Sequence, residues 1–442
     1  MNLETVVERN KQTRSTTLDN GVRVMSEDMP GLLTTAVGVH VAAGARHETA
    51  AQNGISHLLE HMAFKGTPRR NAREIAEAIE DVGGELNAGT SIEQTAYYAR
   101  VMGRDLGTAV DVLSDIACNP RFDPEELARE KDVVLQEIAG MQDSPDETVY
   151  ELAQAAAFKD QAIGRPIIGT PETVGAVSVE ALNGFMDRWY RAGDIVVSAA
   201  GAVDHDALVA EVERHLGGRL RHDPADVAER KREIDGAPRF VGGAVASAEP
   251  FEQAHVVFAM NAPSYHADTF FPMQVFSGLF GGAMSSRLFQ EVRENRGLCY
   301  TIYSSYFSVS DGGLFTMHAA TSKKTVQETA NVMSDEFHRV VRDGVAKAEL
   351  DRAKAQLMSG FLMGLESPAV RAEQMARQTM ALGRILPLED VIARIEGVDM
   401  DDVTRAVSEL TAPGAVTVSI VGAGKKSQAI ADAAHGHFMQ AA

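Results

Sequence analysis

Alternating apolar and polar positions mark the first elements of the chain. Val22 and Val24 point one way after the turn Asp19-Asn20-Gly21, which predicts a β-hairpin. A further strand is expected in TTAVGVHVAAG, Thr34 to Gly44. Helical spacing then takes over. Asn71, with Glu74 three residues later, forms a capping-box pattern that opens the helix AREIAEAIEDVGG. GGELNAGTSIEQTAYYARV reads as two short strands around a turn, and Asp123-Pro124-Glu125-Glu126 as a strong helix start.

The pattern then recurs. An amphipathic helix from Ser178 to Tyr190 leads into the strand DIVVSAAGAV and a helix beginning at Asp204. Late in the chain, a helix from Asp399 to Leu410 leads into GAVTVSIVGAG and a short helix, after which His435 and His437 are expected in a mobile tail. The strands Val196–Ala202 and Thr417–Ala423 are displaced by about 221 positions, and Ala36–Val41 has a counterpart at a similar displacement in His255–Met260. A period near half the chain predicts an α+β protein made of two duplicated α/β domains, each a mostly antiparallel sheet packed with helices. The expected domains are residues 1–218 and 237–442, joined by a charged linker over 219–236 that has no strand pattern.

Composition narrows the function classes. With 442 residues, 45% hydrophobic and 24% charged, the chain is ordinary globular material long enough for two domains. Its net charge of −20 disfavours generic binding to nucleic acid or to anionic membranes, and suits either simple solubility or an acidic site for basic peptides. Two cysteines, Cys118 and Cys299, exclude a disulfide scaffold and a cysteine-rich metal site and fit a reducing compartment. No apolar stretch suggests a signal peptide or a membrane span, so the expected location is cytoplasmic.

The most informative segment is Asn53-Gly54-Ile55-Ser56-His57-Leu58-Leu59-Glu60-His61-Met62. On a helix, His57, Glu60 and His61 fall within roughly 100° of arc, while Ile55, Leu58, Leu59 and Met62 cluster opposite. That division supplies one face for a core and one of metal-ligand type: two imidazoles to hold an ion and a carboxylate to work on its water. A third protein ligand is needed. The helix from Pro124 offers Glu130 and Glu137 on one face, where by themselves they read as solvated surface more readily than as ligands. His40 and His318 fall in expected strands with no partner at ligand spacing.

HLLEH is the inverted zinc motif. The longer run HLLEHMAFKGTPRR, together with ELNAGTSIEQTAYYARV and LAREKDVVLQEI, resembles the β-subunit of mitochondrial processing peptidase and its bacterial relatives, within the pitrilysin and insulin-degrading enzyme family. The resemblance covers essentially the whole chain. It implies one zinc ion per chain, with Glu137, 76 positions after His61, as the third ligand beside His57 and His61, and with Glu130 orienting the ligand shell. SSRLFQEVRENRGLCYTIYSSY resembles the family's carboxy-terminal signature and implies that Arg293 and Tyr300 reach the substrate backbone. It further implies that substrate joins a sheet edge near Asn87 and Ala88, and that two domains face each other across a chamber. The Gly281-Gly282 pair resembles the family's glycine-rich loop and also reads as a helix-terminating turn.

These features lead to the expectation of a zinc endopeptidase acting on short or unfolded, basic, extended peptides, with Glu60 as the general base. Residues 1–218 would carry the zinc site and 237–442 would be an inactive homologous domain, since FFPMQVFSGLFGG has neither histidine nor acid. Half-length relatives imply a homodimer, with a heterodimer as the other arrangement. The alternative function is a catalytically silent scaffold or peptide-binding subunit.

Overall fold

The computed structural model describes residues 13–218, 237–412 and 414–441. The linker expected over 219–236 lies outside the described residues. The described chain forms two compact units of mixed α/β structure.

In unit 1, a six-stranded sheet has the order β1-β2-β6-β3-β5-β4. Its strands are β1 (Thr13–Thr17), β2 (Arg23–Asp28), β3 (Thr34–Val41), β4 (Glu85–Thr90), β5 (Thr95–Met102) and β6 (Ile195–Gly201). The hairpin expected around Asn20-Gly21 joins β1 to β2, and β4 pairs with β5 around the expected second turn. Every pairing is antiparallel except β2 with β6.

Unit 2 contains β7 (Gly243–Ala246), β8 (Ala254–Ala262), β9 (Cys299–Ser308), β10 (Gly313–Thr321) and β11 (Thr417–Val421), in the order β7-β11-β8-β10-β9. Removal of β1 from unit 1 leaves the same order and the same single parallel pair, here β11 with β7. The duplication expected from strand spacing is therefore a duplication of topology.

Each unit also takes in a segment from the other half of the sequence: Leu362–Asp390 belongs to unit 1, and Ala139–Arg165 to unit 2. The two segments carry matching helices, Pro145–Ala157 and Pro368–Leu382, each with proline in the first turn after a serine cap position. Val149, Ala153 and Ala157 form a buried stripe at four-residue spacing on the first helix, which packs on β8 and β11. On the second, Ala372, Met375 and Ala376 pack with Met25, Ala36, Val196 and Ala200 of the unit 1 sheet.

The carboxy-terminal segment differs from expectation. Ser427–Ala441 is one continuous helix and not a short helix followed by a mobile tail. Ala431, Ala434 and Phe438 are buried on one face, and Phe438 stacks against Phe337, so burial of this stripe holds the helix together. His437 pairs through Nε2 with Asp335 Oδ1 at 2.7 Å. Among the described residues, no helix is long and apolar enough to cross a membrane.

Candidate functional site

The helix Ile55–Ala63 carries the inverted motif. It begins at Gly54, which sits at φ +92°, and a Cβ there would come within 2.6 Å of the Ile168 carbonyl oxygen, so only glycine fits. The usual capping side chain is replaced by buried Glu48. Its Oε2 accepts from the Gly54 N–H at 2.8 Å and from Asn53 Nδ2 at 3.0 Å, and its Oε1 from the Ser56 N–H at 2.9 Å. The carboxylate thereby satisfies first-turn N–H groups and sits at the positive end of the helix dipole. Burial raises its pKa from the ordinary carboxylate value against the lowering effect of these bonds.

Ile55, Leu58, Leu59 and Met62 are fully buried, as the face division predicted, and His57, Glu60 and His61 occupy the half-buried opposite side. The helix Pro124–Gln142 brings its acids to that side. Asp123 Oδ1 accepts from the Glu125 and Glu126 N–H groups, which fixes the start of this helix. Leu127, Val134 and Ile138 are buried while Val133 is exposed, so one stripe packs and the flank bearing Glu130 and Glu137 is presented to the histidines.

Glu137 Oε2 lies 3.5 Å from His61 Nε2 and 3.9 Å from His57 Nε2, and the two imidazole rings have centroids 4.7 Å apart. His57, His61 and Glu137 thus converge as a group able to hold a metal ion. Glu130 is buried and accepts from His61 Nδ1 at 3.1 Å, which leaves the Nε2 lone pair free to face Glu137 and His57. Lys65 reaches the other Glu130 oxygen at 2.6 Å. Burial, followed by the neighbouring His61, lowers the pKa of His57 to about 4, which keeps its ring in the neutral form that ligates. Two imidazole nitrogens, one carboxylate oxygen and a tautomer fixed from behind are a donor set suited to zinc with a position left for water.

Glu60 sits beside this cluster. Its Oε2 accepts a hydrogen bond from Thr90 Oγ1 at 2.5 Å. Burial raises its pKa above the usual carboxylate value, and the Thr90 bond opposes that rise. Thr90 ends β4, the edge strand of the unit 1 sheet, which packs beside the motif helix. Asn87 and Ala88 lie on the same strand, so one margin of their backbone has no strand neighbour among the described residues.

In unit 2, Arg293 lies in a π-helical segment, Phe289–Asn295, just before β9. Its guanidinium sits over the rings of Phe289 at 4.5 Å and Tyr300 at 4.9 Å, so the structure brings Arg293 and Tyr300 together. Tyr300 is 75% exposed. Gly281 closes the helix Phe270–Gly281, and a Cβ there would meet the Ser304 backbone nitrogen at 2.3 Å; the Gly-Gly pair is a helix end packed tightly on β9.

Sequence reasoning missed Thr90, Lys65 and Glu48. Each acts through a contact of long range or irregular geometry that no motif spacing encodes. It also missed the approach of His255 to His318, since histidines on separate strands have no fixed spacing in the chain.

Residues 23–171 match the family model described as Insulinase (Peptidase family M16), and residues 176–357 match Peptidase M16 inactive domain. The chain is 39% identical to an uncharacterized zinc protease of Mycobacterium tuberculosis, over 90% of each chain. It is 34% identical to an uncharacterized zinc protease of Bacillus subtilis, over 89% of this chain and 94% of that one. In fold it is similar to a protease from Helicobacter pylori, with a TM-score of 0.83, 20% identity, and coverage of 92% of this chain and 99% of that chain. It is similar also to a chain of complex III2 from Candida albicans, with a TM-score of 0.82, 21% identity, and coverage of 96% and 99%. From its motif, its duplicated topology and its zinc protease relatives, the chain belongs to peptidase family M16.

Proposed function

We propose that the protein is a zinc endopeptidase whose catalytic centre is His57, His61, Glu137 and Glu60. The convergence of His57, His61 and Glu137, with Glu60 held beside them by Thr90, carries this reading. A zinc ion held by the three ligands supplies polarisation of a water molecule and of the scissile carbonyl. Glu60 takes the proton of the attacking water and returns it to the leaving amine. Glu130 fixes the His61 ring through Nδ1.

Substrate adds as a strand along the free margin of β4 at Asn87 and Ala88, so main-chain hydrogen bonds supply affinity with little sequence demand. Arg293 and Tyr300 donate hydrogen bonds to the substrate backbone, and the half 237–442 completes a chamber around peptides bound by 1–218. The net charge of −20 supports a preference for basic peptides. Because one chain carries both the motif and the Arg293/Tyr300 pair, it acts as a cytoplasmic homodimer.

The test is cleavage of quenched peptides of matched length and opposite charge, before and after chelation. Cleavage of the basic peptide that stops on chelation and returns with zinc is expected. Peptide binding without turnover in the zinc-loaded protein would contradict the reading and favour a silent peptide-binding subunit.

A further inference from the structure

Unit 2 contains a second convergence of metal-ligating atoms, remote in sequence from the HLLEH motif. His255 lies on β8 and His318 on the adjacent β10. In their antiparallel register His255 faces Ala320 and His318 faces Val257, so the two imidazoles are diagonal neighbours on one face of the sheet. The helix Pro145–Ala157 packs on β8 and brings Asp146 in its first turn to the same spot.

His255 Nδ1 is 3.2 Å from His318 Nε2 and 3.0 Å from Asp146 Oδ1, and His318 Nε2 is 3.5 Å from that oxygen. Ligands about 2.0–2.1 Å from a tetrahedral zinc ion stand about 3.3–3.4 Å apart, so the three sides of this triangle suit one shared ion. Its two carboxylate-to-imidazole distances, taken in order, are shorter than the 3.5 and 3.9 Å that separate Glu137 from His61 and His57.

Hydrogen bonding alone serves these atoms poorly. A single proton on His255 Nδ1 can go to Asp146 or to His318, not to both. The side chains of His255 and His318 are 4% and 0% exposed, while Asp146 is 67% exposed, so two rigid imidazoles meet a carboxylate at the water boundary.

The geometry points to a second zinc site, formed by Asp146, His255 and His318 with water as the fourth ligand, that fastens the helix Pro145–Ala157 onto the sheet of unit 2. Unit 1 meets the same need by another device: Arg371, near the start of its helix Pro368–Leu382, donates from Nε to buried Glu27 on β2 at 2.6 Å. In both units a polar latch holds the first turn of the helix that comes from the other half of the chain.

Zinc analysis after equilibrium dialysis of the full chain tests the site, with circular dichroism confirming that each variant is folded. Wild type is expected to bind two zinc ions. The double variant His57→Ala/His61→Ala is expected to keep one. Asp146→Ala, at an exposed position that folding tolerates, is expected to keep the other and to weaken the second by more than about 10-fold, the lower end of what losing even an outer-shell partner costs. His255→Gln is expected to act as Asp146→Ala does. A folded double variant with no zinc overturns the inference. So does retention of that zinc, with unchanged affinity, in the triple variant that adds Asp146→Ala. Neither outcome bears on peptide cleavage, so this inference and the catalytic reading fail separately.

Discussion

The helices Ile55–Ala63 and Phe270–Gly281 each follow the central strand of a duplicated sheet, β3 in unit 1 and β8 in unit 2. The first is divided, with Ile55, Leu58, Leu59 and Met62 buried and His57, Glu60 and His61 on the other side. The second is apolar nearly all round, with Met273, Val275, Phe276, Leu279 and Phe280 all buried. In unit 2 that helix belongs to an aromatic core in which Phe276 contacts Phe280 and Phe315. One topology therefore carries a group able to hold a metal ion where a helix face is left polar and a second sequence element, Pro124–Gln142, supplies acids to meet it. It supports packing alone where that face is filled. Topology and the polar, ligand-type face separate cleanly between these two helices.

Substitutions at matched places should expose that separation. His61→Ala or Glu137→Gln should lower kcat/KM by at least about a thousandfold, since the bound metal supplies several kcal/mol of transition-state stabilisation. Thermal unfolding of the zinc-free protein should barely change in Glu137→Gln, whose side chain is 41% exposed. Phe276→Ala should do the reverse for unit 2, costing about 3–5 kcal/mol in denaturant unfolding while leaving zinc at the HLLEH site.

A third expectation concerns pH and the sheet of unit 1. Burial lowers the pKa of His40 to about 4, and its Nε2 contacts Ser198 Oγ at 3.1 Å. Between about pH 6.5 and 4 the unfolded chain binds a proton here that the folded chain refuses, so stability should fall as pH drops through that window, by up to about 3 kcal/mol. Denaturant unfolding at stepped pH, with His40→Gln as the comparison, should show a smaller fall in the variant.

Smaller effects should come from positioning groups. Glu130→Gln should weaken zinc affinity about 10–100-fold by loosening His61. Thr90→Val should lower kcat about 10-fold, as expected for loss of one hydrogen bond to a charged group, with zinc content unchanged.

Much of this was legible in the sequence because it rests on local rules. The Asn71 capping box with Glu74, the Asp123 cap and the two-faced motif helix all appear where side-chain spacing placed them. The duplication was legible for the same reason: strand spacing repeats, and the two sheets share one order. What escaped depends on contacts between distant residues. Nothing near Glu48 in the chain marks it as the group that caps the motif helix, and nothing near Thr90 marks it as the partner of Glu60. The exchange of the helices Pro145–Ala157 and Pro368–Leu382 between units is set by which sheet face their apolar stripes find, and the stripes do not name that face. His318 had no ligand partner by spacing, yet register across β8 and β10 sets it beside His255.

The central claim is that Glu60 moves the proton at a metal held by His57, His61 and Glu137. The most direct measurement compares wild type with Glu60→Gln for cleavage of a quenched basic peptide, with zinc content determined on both. The account predicts equal zinc in the two proteins and a fall in kcat of roughly 10²–10⁴-fold in the variant. Equal cleavage by both would contradict it, as would zinc-loaded wild type that binds the peptide and does not cut it.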